Sequence, residues 1–192
     1  MGYDMYFLDP PDGEDDRDVY EKANDAVSTA YNELELEDVP TAYFRLNIWG
    51  MARCRSAMCD LGMAYDSDTP IDWPEPATDR IGDLAYELDS HTRHWPDNVT
   101  DTEITAARAY RDQVEAHLAL HPEGGDTIPI HKLRSNDGWI VTPREITAAL
   151  DSYAAHPGVW AALEASAVDH TYWGQWIAWL RRAVDYGGIR VL

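Results

Sequence analysis

Lysine is nearly missing from this chain: Lys22 and Lys132 are the only two in 192 residues, and the other 13 strong bases are arginines. Against 15 bases stand 35 acids, for a formal charge of −20. A surface so short of positive charge repels a phosphate backbone instead of releasing counterions from it, which argues against direct nucleic-acid binding. Cysteine is scarce too. Cys54 and Cys59 lie five residues apart on an expected helix, which points them about 140° apart around its axis. Neither a disulfide nor a metal pair follows, and two reduced, mostly buried thiols are expected.

Long apolar runs are lacking as well. None approaches the roughly 18 residues of a membrane-spanning helix, and the tryptophan-rich C-terminal stretch is interrupted by Gln175 and Arg181-Arg182. Met1 to Leu8 has no basic or apolar leader and runs straight into the acidic Asp9 to Asp18 stretch, so a soluble, cytoplasmic protein is expected. Gly2 does not open a myristoylation motif, because Tyr6 stands where Ser or Thr is required.

The sequence also lacks the common catalytic signatures. It has no Gly-x-x-x-x-Gly-Lys phosphate loop, no Gly-x-Gly-x-x-Gly dinucleotide turn and no Gly-x-Ser-x-Gly elbow. His117 and His121 share a helix face at i and i+4 without the glutamate a zincin needs, and His91 and His94 form a similar pair. Asp66-x-Asp68 lacks the glycine and glutamate of a calcium loop. No metal and no cofactor are therefore expected, and the weight falls against an enzyme. Catalytic groups assembled from distant segments leave no local pattern, so the absence does not decide the matter.

What is present suits one well-filled core. A 45% hydrophobic content over 192 residues fits a single domain spanning residues 1–192. Tyr3 to Leu8 reads as a strand stopped by Asp9-Pro10-Pro11-Asp12-Gly13, and residues 16–36 show helical spacing. A second helix is expected from Ile48, entered from Tyr43-Phe44-Arg45, capped by Asn47 and ended by Gly62. Thr78 caps a helix carrying Ile81, Leu84, Ala85 and Leu88. Thr100-x-x-Glu103 and Thr142-Pro143-Arg144-Glu145 are capping boxes for two more. Residues 127–133 and 139–141 alternate across the turn Ser135-Asn136-Asp137-Gly138, the pattern of a β-hairpin. The last third is helical, with Trp160, Trp173 and Trp176, until Gly187-Gly188 stops it and a short strand closes the chain. The expected fold class is α+β, mostly helical, with one small sheet built from the N-terminal strand, the hairpin near 127–141 and the C-terminal strand.

Four stretches carry a resemblance: Met1-Gly2-Tyr3-Asp4-Met5-Tyr6, Tyr43-Phe44-Arg45-Leu46-Asn47-Ile48-Trp49, Ser135-Asn136-Asp137-Gly138-Trp139 and Tyr186-Gly187-Gly188-Ile189-Arg190-Val191. Together they resemble a group of uncharacterised bacterial and phage proteins that begin Met-Gly-x-Asp-x-Tyr, continue Tyr-Phe-Arg-x-Asn-x-Trp and close with an aromatic-rich helix, Gly-Gly and a strand. The resemblance implies architecture and assigns no reaction.

Two functions of different kinds are expected to compete. In the first, the chain is a protein-interaction factor, accessory or phage-derived, whose exposed tryptophans anchor a partner and whose acidic surface steers it toward a basic one. In the second, it binds or hydrolyses a small molecule or nucleotide with Arg45, Asn47, His131, Asn136 and Asp137, beside an apolar wall of Trp49 and Trp139. The structural reading of the same residues gives Arg45 a carboxylate partner, Asn47 a helix cap and Asn136-Asp137-Gly138 a turn. The sequence leaves the oligomeric state open.

Overall fold

The computed structural model describes residues 2–10, 42–70, 72–89 and 98–192. The helix expected over 16–36, the acidic cluster after Asp12 and the His91/His94 pair lie outside the described residues. Packing divides the chain into two compact units, one formed by Met1–Thr69 with His121–Leu192 and the other by Pro70–Leu120.

The larger unit is α+β. Its four-stranded sheet has the order β2-β1-β6-β5, with β1 Gly2–Phe7, β2 Tyr43–Asn47, β5 Trp139–Val141 and β6 Ile189–Val191, every neighbour antiparallel. Alternation decides the faces. Tyr3, Met5 and Phe7 are buried, and in register with them stand Leu46, Phe44, Val191 and Ile189. The other face carries Asp4 opposite Arg45, and Tyr6 between Tyr43 and Arg190. Tyr43-Phe44-Arg45, expected as the entry to a helix, forms an edge strand of the sheet.

Among the described residues four helices belong to this unit: α1 Ile48–Asp60, α4 Pro143–Ala155, α5 Val159–Ala165 and α6 His170–Asp185. The side chain of Asn47 accepts from the Gly50 N–H and starts α1, while Gly62, at a φ of +67°, follows its last turn. Thr142 and Glu145 form the expected capping box of α4. One apolar core joins the sheet to these helices through Met51, Met58, Trp173, Trp176 and Leu180. Phe7 stacks on Trp179 at 5.0 Å, and Phe44 tilts against Trp176 at 5.4 Å.

The expected hairpin over 127–141 does not form. Instead β4, Ile128–Pro129, pairs in parallel with β3, Ala64–Tyr65, and the chain then turns through a 3-10 helix, Ile130–Leu133. Proline explains much of this, since Pro129 has no N–H to offer a continuing ladder. Trp139–Val141 pairs with the C-terminal strand instead. The thiols also need a correction: Cys54 is buried, its pKa pushed up to about 12 by desolvation, but Cys59 is exposed on the far side of α1.

The smaller unit packs α2, Asp79–Asp89, against α3, Asp101–Leu118, around Ile81, Leu84, Ala85 and Ala107. Thr100 and Glu103 close the expected capping box, and Arg80 Nε lies 2.5 Å from Glu103 Oε1. The Thr100 backbone N–H, then its hydroxyl, then Arg80 hold the Glu103 carboxyl down at about 2. A depressed carboxyl stabilises the fold above its unfolded value, and that contribution disappears as pH falls toward 2. An NMR titration should place the Glu103 midpoint near 2, and Arg80→Ala should leave it below the ordinary range because the Thr100 bonds survive. A midpoint in the ordinary carboxylate range in the parent chain would show the cap open in solution.

Candidate functional site

Each residue of the expected polar set has a definite place. Arg45 projects from β2 with Nε 3.5 Å from Asp4 Oδ1, half exposed. The same carboxylate oxygen accepts a short hydrogen bond from the Tyr43 hydroxyl. Burial, and then that bond to Asp4, push the Tyr43 phenol well above its ordinary range, so it is a fixed donor and not a base. Asn136 donates from Nδ2 to Gly2 O at 2.9 Å. A Cβ added at Gly2 would stand 3.3 Å from Arg45 Nε, so Arg45 and Asn136 each lie against Gly2 at the start of β1.

Asn47 and His131 serve elsewhere. The amide of Asn47 caps α1 at 2.7 Å from Gly50 N. His131 is buried, with Nδ1 2.9 Å from Ser67 Oγ and its ring edge-on to Trp139 at 4.7 Å. Asp137 is exposed in the turn before Gly138, whose φ is +83°. The expected apolar wall is not one surface. Trp139 is fully buried, whereas Trp49 is 77% exposed. Arg45 and Asn47 thus stand as the structural reading has them, as ion pair and helix cap; Asn136 adds a bond to Gly2 O, and His131 is a core residue held by Ser67.

Beneath the start of α4 lies a second polar cluster. Lys132 is fully buried, and its Nζ donates to Ile140 O at 2.7 Å and to both oxygens of Glu145 at 2.8 and 3.0 Å. Desolvation lowers the Lys132 pKa, with Glu145 pulling the other way. Glu145 Oε2 also accepts from the Thr142 N–H at 2.7 Å, and His121 Nδ1 lies 2.7 Å from Oε1. The second ring nitrogen of His121 is 2.7 Å from Gly125 O. Tyr65 closes this corner, bonding Pro122 O at 2.7 Å while its ring stands where a Cβ on Gly125 would fall. A cluster with this many internal bonds ties the 3-10 helix, the His121 loop and the start of α4 together at this corner. Glu145, expected only as a cap, is also the partner of Lys132; the signal for this is a solitary lysine in the mostly apolar run Ile128 to Leu133. Among the described residues no group of three or more His, Cys, Asp or Glu side chains is placed to share a metal ion.

The remaining feature is apolar. Along α1, Met51, Cys54, Ala57 and Met58 face the core, leaving Ile48, Trp49, Ala52, Arg53, Ser56, Cys59 and Asp60 on the solvent side. Ile48 is 44% exposed beside Trp49. A large side chain left in water at the head of a well-packed helix gains nothing for the fold. Of the seven described tryptophans, Trp139, Trp173, Trp176 and Trp179 are buried and Trp49, Trp73 and Trp160 are exposed. Trp160 rests against His170 at 4.8 Å, whereas no described ring stacks on Trp49.

No helix among the described residues is long and apolar enough to cross a membrane. Comparison with protein-family models, with curated proteins and with solved structures finds no match.

Proposed function

We propose that this protein is an interaction factor that docks another protein through Ile48 and Trp49 on the solvent side of α1. The observation that carries this reading is the exposure of Trp49, 77% of its surface in water on a helix whose other face is fully packed. Tryptophan and arginine dominate binding energetics where they are found at interfaces, and here Arg53 lies one turn from Trp49. Four of the five polar residues that favour the competing ligand-binding reading, Arg45, Asn47, His131 and Asn136, make internal contacts. An accessory role, such as that of a phage factor acting on a host protein, is the form suggested by the resemblance in the four sequence stretches. The charge of −20 would add long-range steering toward a partner with a basic body.

A photo-crosslinking amino acid in place of Trp49 tests the reading. We expect one saturable protein adduct in lysate at about 0.15 M salt, a condition in which only charges within about 8 Å act strongly. The same probe at Ala178, an exposed position of α6, should give none. Equal, unsaturable labelling from both positions would falsify the assignment.

A further inference from the structure

Charge along the sequence either side of Trp49 runs against the rest of the chain until Asp60 ends α1. From Val39 to Cys59 the sequence has no Asp or Glu, although the chain holds 35 acids, and the same run contains Arg45, Arg53 and Arg55. Two of these arginines are engaged: Arg45 lies beside Asp4, and Arg55 donates to Leu133 O at 2.7 Å and to Tyr3 at 3.2 Å. Arg53 is exposed on the same side of α1 as Trp49 and pairs with no described carboxylate. The first turn of α1 has no acid to balance the positive end of the helix. Between Trp49 and Arg53 the exposed surface is Ala52, with Ser56 one turn on, small side chains that let another backbone come close.

We propose that the solvent face of α1 takes an acidic segment of a partner protein, with an aromatic or branched apolar side chain laid against Trp49 and Ile48 and a carboxylate on Arg53. This deepens, and rests on, the reading of that face as a docking surface. Steering and contact are separate here. The field of the whole chain acts at long range, but at about 0.15 M salt the screening length is about 8 Å, so the local charges of α1 decide the contact. A basic segment would meet Arg53 and the uncompensated end of the helix. A second copy of this chain is disfavoured as occupant, because a two-fold contact centred on α1 would set arginine against arginine between two bodies of charge −20.

The test uses the full chain and two labelled amphipathic peptides of 16 residues, with identical Leu and Phe positions and either Glu or Lys at every polar position. Fluorescence anisotropy should show the Glu peptide bound about tenfold or more tighter than the Lys peptide. Trp49→Ala should weaken the Glu peptide about tenfold or more, the effect of losing an interface anchor. Arg53→Glu should abolish the preference, and both surface variants should keep the circular dichroism of the parent. Preference for the Lys peptide, still lost in Trp49→Ala, overturns the acidic partner and leaves the docking reading standing. Binding of the Glu peptide that ignores both substitutions, or no binding of either peptide, overturns the proposal itself. Self-association in sedimentation equilibrium that Trp49→Ala removes identifies the occupant as a second copy and overturns it as well.

Discussion

Glu145→Gln should destabilise the protein by about 3–5 kcal/mol in urea unfolding, the usual cost of leaving one charge of a buried pair alone. Glutamine keeps the reach of a capping-box residue, so the start of α4 survives. What it removes is the Glu145 countercharge of Lys132, whose ammonium is fully buried and would still donate to Ile140 O. Lys132→Met should cost less, because the carboxylate left behind still accepts from the Thr142 N–H and hydroxyl and lies within bonding distance of His121. Removing both charges in Lys132→Met/Glu145→Gln should recover most of the loss, giving a strongly non-additive cycle.

The Gln variant should also acquire a pH dependence of definite sign. Desolvation already lowers the Lys132 pKa, and replacing Glu145 removes the countercharge that pulls the other way. The folded variant then binds fewer protons than the unfolded chain between the lowered pKa and about 10.4, so its stability rises with pH across that window. Equal losses in the two single variants, or simple addition in the double one, would remove the pair as a determinant of the fold.

Gly188→Ala is expected to be the most damaging small substitution among the glycines that link α6 to β6. Its φ is +98°, and an added Cβ would stand 2.3 Å from the carbonyl oxygen of Val141. Backbone strain of this kind costs on the order of 1–3 kcal/mol before the collision is counted. The colliding atom belongs to β5, which pairs with β6 immediately after the glycine, so relief requires the two strands to separate. Gly188 N also donates to Ala183 O at 2.9 Å, the bond that closes the last turn of α6. Gly187 provides the control. Its φ is +78°, but its added Cβ meets the Asp9 carboxylate, a side-chain end that can rotate away. Gly187→Ala should cost about 1 kcal/mol, and thermal unfolding that ranks it above Gly188→Ala would show that the strand contact is not the constraint.

Much of the secondary structure was legible because its signals are local. Asn47, Thr100 and Thr142 each bond an amide three residues ahead, so the residues that announce the cap are the residues that make it. The terminal strands were legible from short aromatic and β-branched runs beside turn residues. Their partners were not. Ile128–Pro129 looks like half of a hairpin, yet it pairs with Ala64–Tyr65, more than sixty residues earlier. No spacing within 127–141 could announce that partner. The candidate polar set shows the same limit: Asn47 was legible as a cap, while the bonds of Asn136 to Gly2 and of His131 to Ser67 span 134 and 64 residues.

By itself the sequence determined the charge, the α+β class and the starts of the capped helices, since these depend on composition or on groups within one turn of each other. Tertiary structure alone decided that Lys132 is sealed against Glu145, and that Trp176 is buried while Trp49 stands in water. Both tryptophans sit on helices, and their local sequence gives each a comparable claim on the core. Which one enters depends on the face that the sheet covers, and that choice is made by contacts between segments far apart along the chain.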